Sequence, residues 1–190
     1  MDKFDYLFTF ISLTITIGIS GLLNNLNNLL KLRDQVKWHW LPLGWSLIIL
    51  LALIQIWFSL FYHLDNELTE TAGGFFMLFL PVIFVLLTSM AVLPNKPSEE
   101  GLDLKNWYFK QKNYLIILLI LSWISYLNVK LFEEVYVLTQ FHISKYVLAI
   151  IPLILYVILL NTKKVWVHSV VVFSYLTVII YILTEQRIMN

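Results

Sequence analysis

The chain has 190 residues, 59% of them hydrophobic and 13% charged, with a formal net charge of +1 and a mean hydropathy of +0.79. Soluble domains carry about 25% charged and about 45–50% apolar residues, so the composition excludes an ordinary soluble domain and points to an integral membrane protein. The near-neutral charge argues against nucleic-acid binding, which needs a clustered basic surface, and the absence of cysteine excludes disulfides, thiolate zinc sites and cysteine nucleophiles.

The opening Met1-Asp2-Lys3-Phe4-Asp5 lacks a cationic n-region and no A-x-A site follows. A cleaved signal peptide is therefore not expected, and the first apolar helix should be retained. About 20 apolar residues cross a bilayer core of roughly 30 Å. Six segments meet that length, at about 5–30, 40–62, 72–93, 113–132, 143–160 and 165–184. The expected fold class is all-α: a polytopic membrane protein with six transmembrane helices in one bundle. Residues 1–190 form a single membrane domain, with a polar and partly interfacial linker at 94–112.

Phe4 to Lys31 read as one long helix with two faces. Phe4, Phe8, Ile11, Ile15, Ile19, Leu22, Leu26 and Leu29 share one side. Thr9, Thr16, Ser20, Asn24, Asn27 and Lys31 share the other, flanked by Thr14, Gly18, Gly21, Asn25 and Asn28. A helix surrounded by hydrocarbon has no use for four asparagines, so the polar side should meet protein, water or a ligand. That places the helix centrally or at a protomer interface. Three readings of the amides stay open. They can glue helices together, at about 0.6 kcal/mol per bond on average. They can lie at headgroup depth, because residues 5–31 would extend roughly 40 Å at ~1.5 Å per residue. They can also form the polar wall of a water-filled or ligand-filled path.

The second helix opens with Trp38-His39-Trp40-Leu41-Pro42, a proline near the first turn where its missing N–H costs little. Gln55 is its only strongly polar interior residue. The third follows Thr71-Ala72-Gly73-Gly74, carries Pro81 near its middle and ends at Pro94. In the linker, Trp107-Tyr108-Phe109 between Lys105 and Lys110 should form a short helix lying on the headgroups. Ser122, Ser125 and Asn128 give the fourth helix a short polar edge. The fifth must snorkel Lys145 outward and holds Pro152. The sixth places His168, Ser169, Ser174 and Thr177 among Val and Ile. Pro81 and Pro152 each free the carbonyl four residues earlier, at Met77 and Leu148. Such breaks are either simple kinks or the shaping of a site near the midplane.

The first, third and fifth loops hold nine of the 13 basic residues, namely Lys31, Arg33, Lys37, Lys96, Lys105, Lys110, Lys112, Lys163 and Lys164. Lys3, Lys130, Lys145 and Arg187 fall on the other side. The positive-inside rule then puts the odd loops in the cytoplasm and both termini outside. Trp38, Trp40, Trp45, Trp107 and Trp166 should form the inner aromatic belt, and Tyr6, Tyr62, Tyr136 and Tyr181 the outer one. Asp65, Glu67, Glu70, Glu133 and Glu134 make the outer loops acidic, either as a solvated surface or as a mouth that concentrates cations.

The ionisable groups all fall at helix ends or in loops, which disfavours proton-coupled or charge-coupled transport. Na⁺ coordination by carbonyls and hydroxyls survives that argument. His39, His63, His142 and His168 read as interfacial rather than as haem or metal ligands; His39 and His63 would lie roughly 36 Å apart along one helix. No H-E-x-x-H, G-x-S-x-G or P-loop is present, so no catalytic residue, metal or cofactor is expected. The candidate path-lining residues are Thr16, Ser20, Asn24, Asn27, Asn28, Gln55, Pro81 and Pro152. Two functions fit them. One is a channel or transporter-like path for a small solute or ion, lined by the polar face of helix 1. The other is a non-catalytic membrane subunit or sensor whose helix-1 face binds a partner helix or lipid. A lipid-modifying enzyme ranks third. The expected partners are the bilayer and either further copies of the chain or a second membrane protein.

Phe4-Asp5-Tyr6, the Thr/Ser/Gly-rich stretch into Gly21-Leu22-Leu23, Trp40-Leu41-Pro42 with Trp45, Leu80-Pro81, Leu93-Pro94 and Trp107-Tyr108-Phe109 form a pattern along the first two-thirds of the chain. It resembles an uncharacterised family of small multi-span bacterial membrane proteins. The resemblance implies a multi-pass protein of the inner (plasma) membrane and carries over no activity or catalytic residues.

Overall fold

The computed structural model describes residues 3–63, 67–95, 101–137 and 143–185. They form six helices: α1 (Lys3–Lys31), α2 (Trp40–His63), α3 (Ala72–Ala91), α4 (Leu104–Val137), α5 (Ile143–Asn161) and α6 (Val165–Glu185). Five contain stretches long and apolar enough to cross a membrane: Asp5–Lys31, Trp40–Leu60, Ala72–Ala91, Leu104–Phe132 and Val165–Glu185. The described apolar part of α5, Ala149–Asn161, is shorter. The side chains of Tyr62, His63, Asp65, Glu67, Glu133, Glu134, Tyr136, His142, Lys145 and Arg187, and the linker residues Lys96 to Glu100, lie outside what is described.

Local chemistry sets the helix ends. Thr71 is extended and its hydroxyl accepts the Gly74 N–H at 3.1 Å, capping α3. Asp103 accepts the Asn106 N–H at 2.9 Å and caps α4. At the start of α2 the Leu41 N–H donates to His39 Nδ1 at 3.3 Å. At the far end of α5, Lys112 of α4 donates to the carbonyls of Leu159 and Leu160 at 2.9 and 2.7 Å. A cation there meets the carbonyls that a helix C-terminus leaves without intrahelical partners.

Successive helices run antiparallel. The Trp57 indole of α2 donates to Ser12 of α1 at 3.2 Å, and a Cβ on Gly18 would sit 3.3 Å from Leu53 and 3.2 Å from Leu86. Asn25 of α1 donates to the Leu93 carbonyl just past α3, at 3.5 Å. In the other half, the Trp123 indole donates to the Ala149 carbonyl at 2.9 Å and joins α4 to α5. At Gly44 the backbone of α2 comes so close to α6 that a Cβ would lie 2.8 Å from Val172.

The centre belongs to α2, α3 and α4, correcting the central position expected for helix 1. The α1 helix packs on α2 and α3 through Ile11, Ile15, Leu22 and Leu29, all buried, and turns its other side outward. The linker also differs from expectation. Trp107, Tyr108 and Phe109 belong to the first turns of α4, which starts at Leu104 and runs continuously. The 34 residues of α4 extend about 51 Å at ~1.5 Å per residue, well beyond a bilayer core of roughly 30 Å.

A two-rung parallel ladder, β1 (Val36–Lys37) with β2 (Leu102–Asp103), ties the chain before α2 to the chain before α4. Gly101 enters it at φ +96° with the Gln35 carbonyl 3.4 Å from where a Cβ would stand, a backbone conformation that glycine adopts without strain. Lys37 reaches Asp103 at 3.4 Å. The Asn106 amide, helped by Lys37, holds the Asp103 carboxyl below the usual carboxylate range. Partial burial, with Lys105 nearby, lowers the His39 imidazole from its ordinary value.

Candidate functional site

Between the halves of α2, α3 and α4 that lie towards the two termini, the helices enclose a half-open cavity of about 570 Å³, with Ile11 of α1 and Ile182 of α6 completing the wall. Small-molecule sites run to about 300–1,000 Å³ and are mostly apolar with a few polar groups, and this cavity fits that description. Its polar members are Gln55 and Ser59 of α2 with Ser122 and Lys130 of α4. Gln55 lies about 12 Å along α2 from His63, so the site reaches well into the spanning region. Ser59 donates to its own helix at Ile56, 2.7 Å away. Gln55 and Ser122 have no hydrogen-bond partner among the described residues. Lys130 sits 5.9 Å above the Tyr126 ring. Pro81 stands on the wall within α3, where its ring nitrogen has no proton to give the helix ladder.

Below the cavity the helices close. Ile48, Ile49, Leu115 and Ile116 are buried between α2 and α4, and a polar network follows. The Trp45 indole N–H donates to Tyr108 Oη at 3.0 Å; Tyr108 Oη lies 2.7 Å from His168 Nδ1; His168 Nε2 lies 3.1 Å from the Thr162 carbonyl. A carbonyl can only accept, so the imidazole proton sits on Nε2, and Nδ1 accepts the Tyr108 O–H. One tautomer thus satisfies every member. Phe109 and Tyr108 meet the His168 ring edge-on, at 5.2 and 5.5 Å. The network joins α2, α4, α6 and the turn after α5. It overturns two expectations: Trp45 is not an interfacial anchor and His168 is not an interfacial histidine, since both are 0% exposed. Lys112, counted with the linker, is helical and only 3% exposed. By contrast Trp38, Trp166, Tyr6 and Tyr181 are exposed.

Of the eight candidate path residues, Gln55 and Pro81 line the cavity. Thr16, Ser20, Asn24 and Asn27 lie exposed on the outward side of α1, with Asn28 half-buried beside them. They do not line the cavity; the Thr16 hydroxyl bonds back to the Ser12 carbonyl at 2.8 Å. Because Asn25 reaches Leu93 beyond the end of α3, the amide cluster sits at the end of α1 level with the α3 terminus. Pro152 is half-buried in α5 and does not touch the cavity. Ser122 and Lys130 were not singled out for the site. The three-residue spacing of Ser122, Ser125 and Asn128 pointed to a polar edge on that helix, but not to which of them would face a void. No group of three or more His, Cys, Asp or Glu that could hold a metal occurs among the described residues.

The chain matches no family model, no curated protein and no solved structure.

Proposed function

We propose that this is a non-catalytic multi-pass protein of the bacterial inner membrane that binds a small ligand in the cavity of α2, α3 and α4, in a transporter-like arrangement open on one side. All six helices cross the bilayer in a single bundle, with the odd loops cytoplasmic and both termini outside. The observation that carries the reading is the cavity itself, whose wall holds Gln55 and Ser122, neither with a hydrogen-bond partner among the described residues. Both are half-buried on a mostly apolar wall, so they are the groups through which an occupant of the cavity would be bonded. The buried layer at Ile49 and Ile116 and the Trp45–Tyr108–His168 network beneath it support a one-sided site over a continuous pore. A path along the polar face of α1 would exist only where copies of the chain meet around that helix.

The absence of native cysteine makes single-cysteine accessibility a direct test. In reconstituted bilayers, a nitroxide attached at Gln55→Cys should collide with dissolved oxygen, which reaches a cavity from water or from lipid, at least about threefold faster than one at Leu53→Cys, whose native side chain is fully buried on the same helix. Equal rates at the two positions would remove the site.

A further inference from the structure

We infer that the ligand is a neutral amphiphile drawn from the bilayer, its hydrogen-bonding group held by Gln55 and Ser122 and its apolar body leaving between Tyr126 and Ile182. The inference rests on the cavity being a ligand site and adds the class of ligand and its route. Gln55 and Ser122 can each donate and accept, and neither has a partner among the described residues. The other polar groups at this level are spent locally: Ser59 on the Ile56 carbonyl and the Trp123 indole on the Ala149 carbonyl. The wall facing Gln55 and Ser122 is otherwise apolar, with Val82 and Val85 buried beside them.

The charge argument decides between neutral and ionic heads. The cation on the wall, Lys130, stands eight residues beyond Ser122, about 12 Å along α4. An ionised head seated at Gln55 would be buried without a counter-charge, and such burial is far more costly than burying a neutral polar group. A neutral hydroxyl or carbonyl needs only what Gln55 and Ser122 offer.

The route follows from the mouth. Among the described wall residues the exposed ones are Tyr126, at 40%, and Ile182, at 37%. Both lie within the apolar stretches Leu104–Phe132 and Val165–Glu185 rather than beyond them. The opening therefore faces the flank that hydrocarbon covers, and a bilayer-dissolved molecule reaches it without crossing water.

The test photolabels the full chain in phosphatidylcholine nanodiscs with a hexadecanol that carries a diazirine beside its hydroxyl. Adducts are mapped by peptide mass spectrometry. Labelling should concentrate on the cavity-lining peptides of α2, α3 and α4, and should be competed by plain hexadecanol. It should fall about tenfold in the Gln55→Leu/Ser122→Ala pair, equivalent to about 1.4 kcal/mol. Ala52→Phe, which fills the cavity, should abolish it. Each single substitution serves if the pair fails to insert. Uncompeted labelling spread over the lipid-facing sides of α1, α5 and α6 overturns the inference, as does stronger capture of the matching hexadecanoate. If oxygen reaches the label at Gln55→Cys while the cavity shows no competed adduct, the ligand class is wrong and the site stands.

Discussion

Replacing His168 by leucine keeps a similar volume but takes both ring nitrogens away. The Tyr108 O–H then loses its acceptor at 2.7 Å, and the Thr162 carbonyl loses its donor at 3.1 Å. Each buried polar group left unpaired costs about 1–3 kcal/mol. Tyr108 Oη keeps the Trp45 N–H, and the imidazole itself need no longer be desolvated, which offsets part of that sum. The net loss should be about 2–4 kcal/mol. Tyr108→Phe breaks the same bond from the other end and leaves both His168 Nδ1 and the Trp45 indole N–H unpaired, for about 2–6 kcal/mol at about 1–3 per group. Because the two substitutions share one hydrogen bond, their costs should overlap by about 1–2 kcal/mol in the double variant. Unfolding by sodium dodecyl sulfate in mixed micelles, followed by circular dichroism, measures all four corners of the cycle. A His168→Leu protein within about 0.5 kcal/mol of wild type, or additive costs in the double variant, would show that the network does not bind α2, α4 and α6 together.

Gly44→Ala should destabilise by about 1–3 kcal/mol, the usual cost of overpacking, because its Cβ would stand 2.8 Å from fully buried Val172. Adding Val172→Ala should recover part of that loss in the same micelle assay. Gly73→Ala, with nothing within 4 Å of its Cβ, should instead leave stability unchanged or raise it by about 0.4–1 kcal/mol. Lys112→Met should cost about 2 kcal/mol by stripping two charge-assisted hydrogen bonds from the end of α5; hydrogen exchange should quicken at the amides of the last turn, up to Asn161. On acidification, Asp103 and His39 act in the same direction. Both bind a proton less readily folded than unfolded, so their contributions are complete above the unfolded values. They fade as pH falls, the His39 part below about 6.5 and the Asp103 part below about 4. Melting curves of wild type and Asp103→Asn should therefore converge at low pH, and constant separation would refute this linkage.

Much of the helical order was legible because hydrocarbon imposes a length and an apolar composition on each crossing. Thr71, Pro94 and the Lys163-Lys164 pair punctuate it further. The start of α4 was not legible. Lys105, Lys110 and Lys112 look like a loop when charge is read as a boundary, yet Lys112 is held by two carbonyls from another helix, a partner that no local spacing reveals. Trp45 and His168 failed for the same reason. Aromatic and imidazole side chains near helix ends suit an interface equally well until Tyr108 is known to stand between them. On α1 the periodicity correctly separated Ile11, Ile15, Leu22 and Leu29 from Thr16, Ser20 and Asn24. The side it turned towards protein, water or a ligand was the wrong one, because a buried amide row and an outward one share the same spacing: the structure packs the apolar row and leaves Thr16, Ser20 and Asn24 exposed. Gln55 and Pro81 were identified as unusual residues in apolar helices, and the structure brings them together with Ser122 because α2, α3 and α4 pack side by side.

The small ladder has a consequence for how the chain reaches its final form. Val36 and Leu102 can meet only once the whole of α2 and α3 has been threaded and the chain has returned to the face it left. Their pairing also fixes a common zero mark for depth, from which Trp45 and Tyr108 arrive opposite each other a little over one turn into their helices. A residue inserted between Lys37 and Trp40 would therefore slide one helix against the other and uncouple Trp45 from Tyr108, more than a turn beyond the insertion. Two rungs of strand thus serve as a late checkpoint on whether the membrane segments were laid down in register.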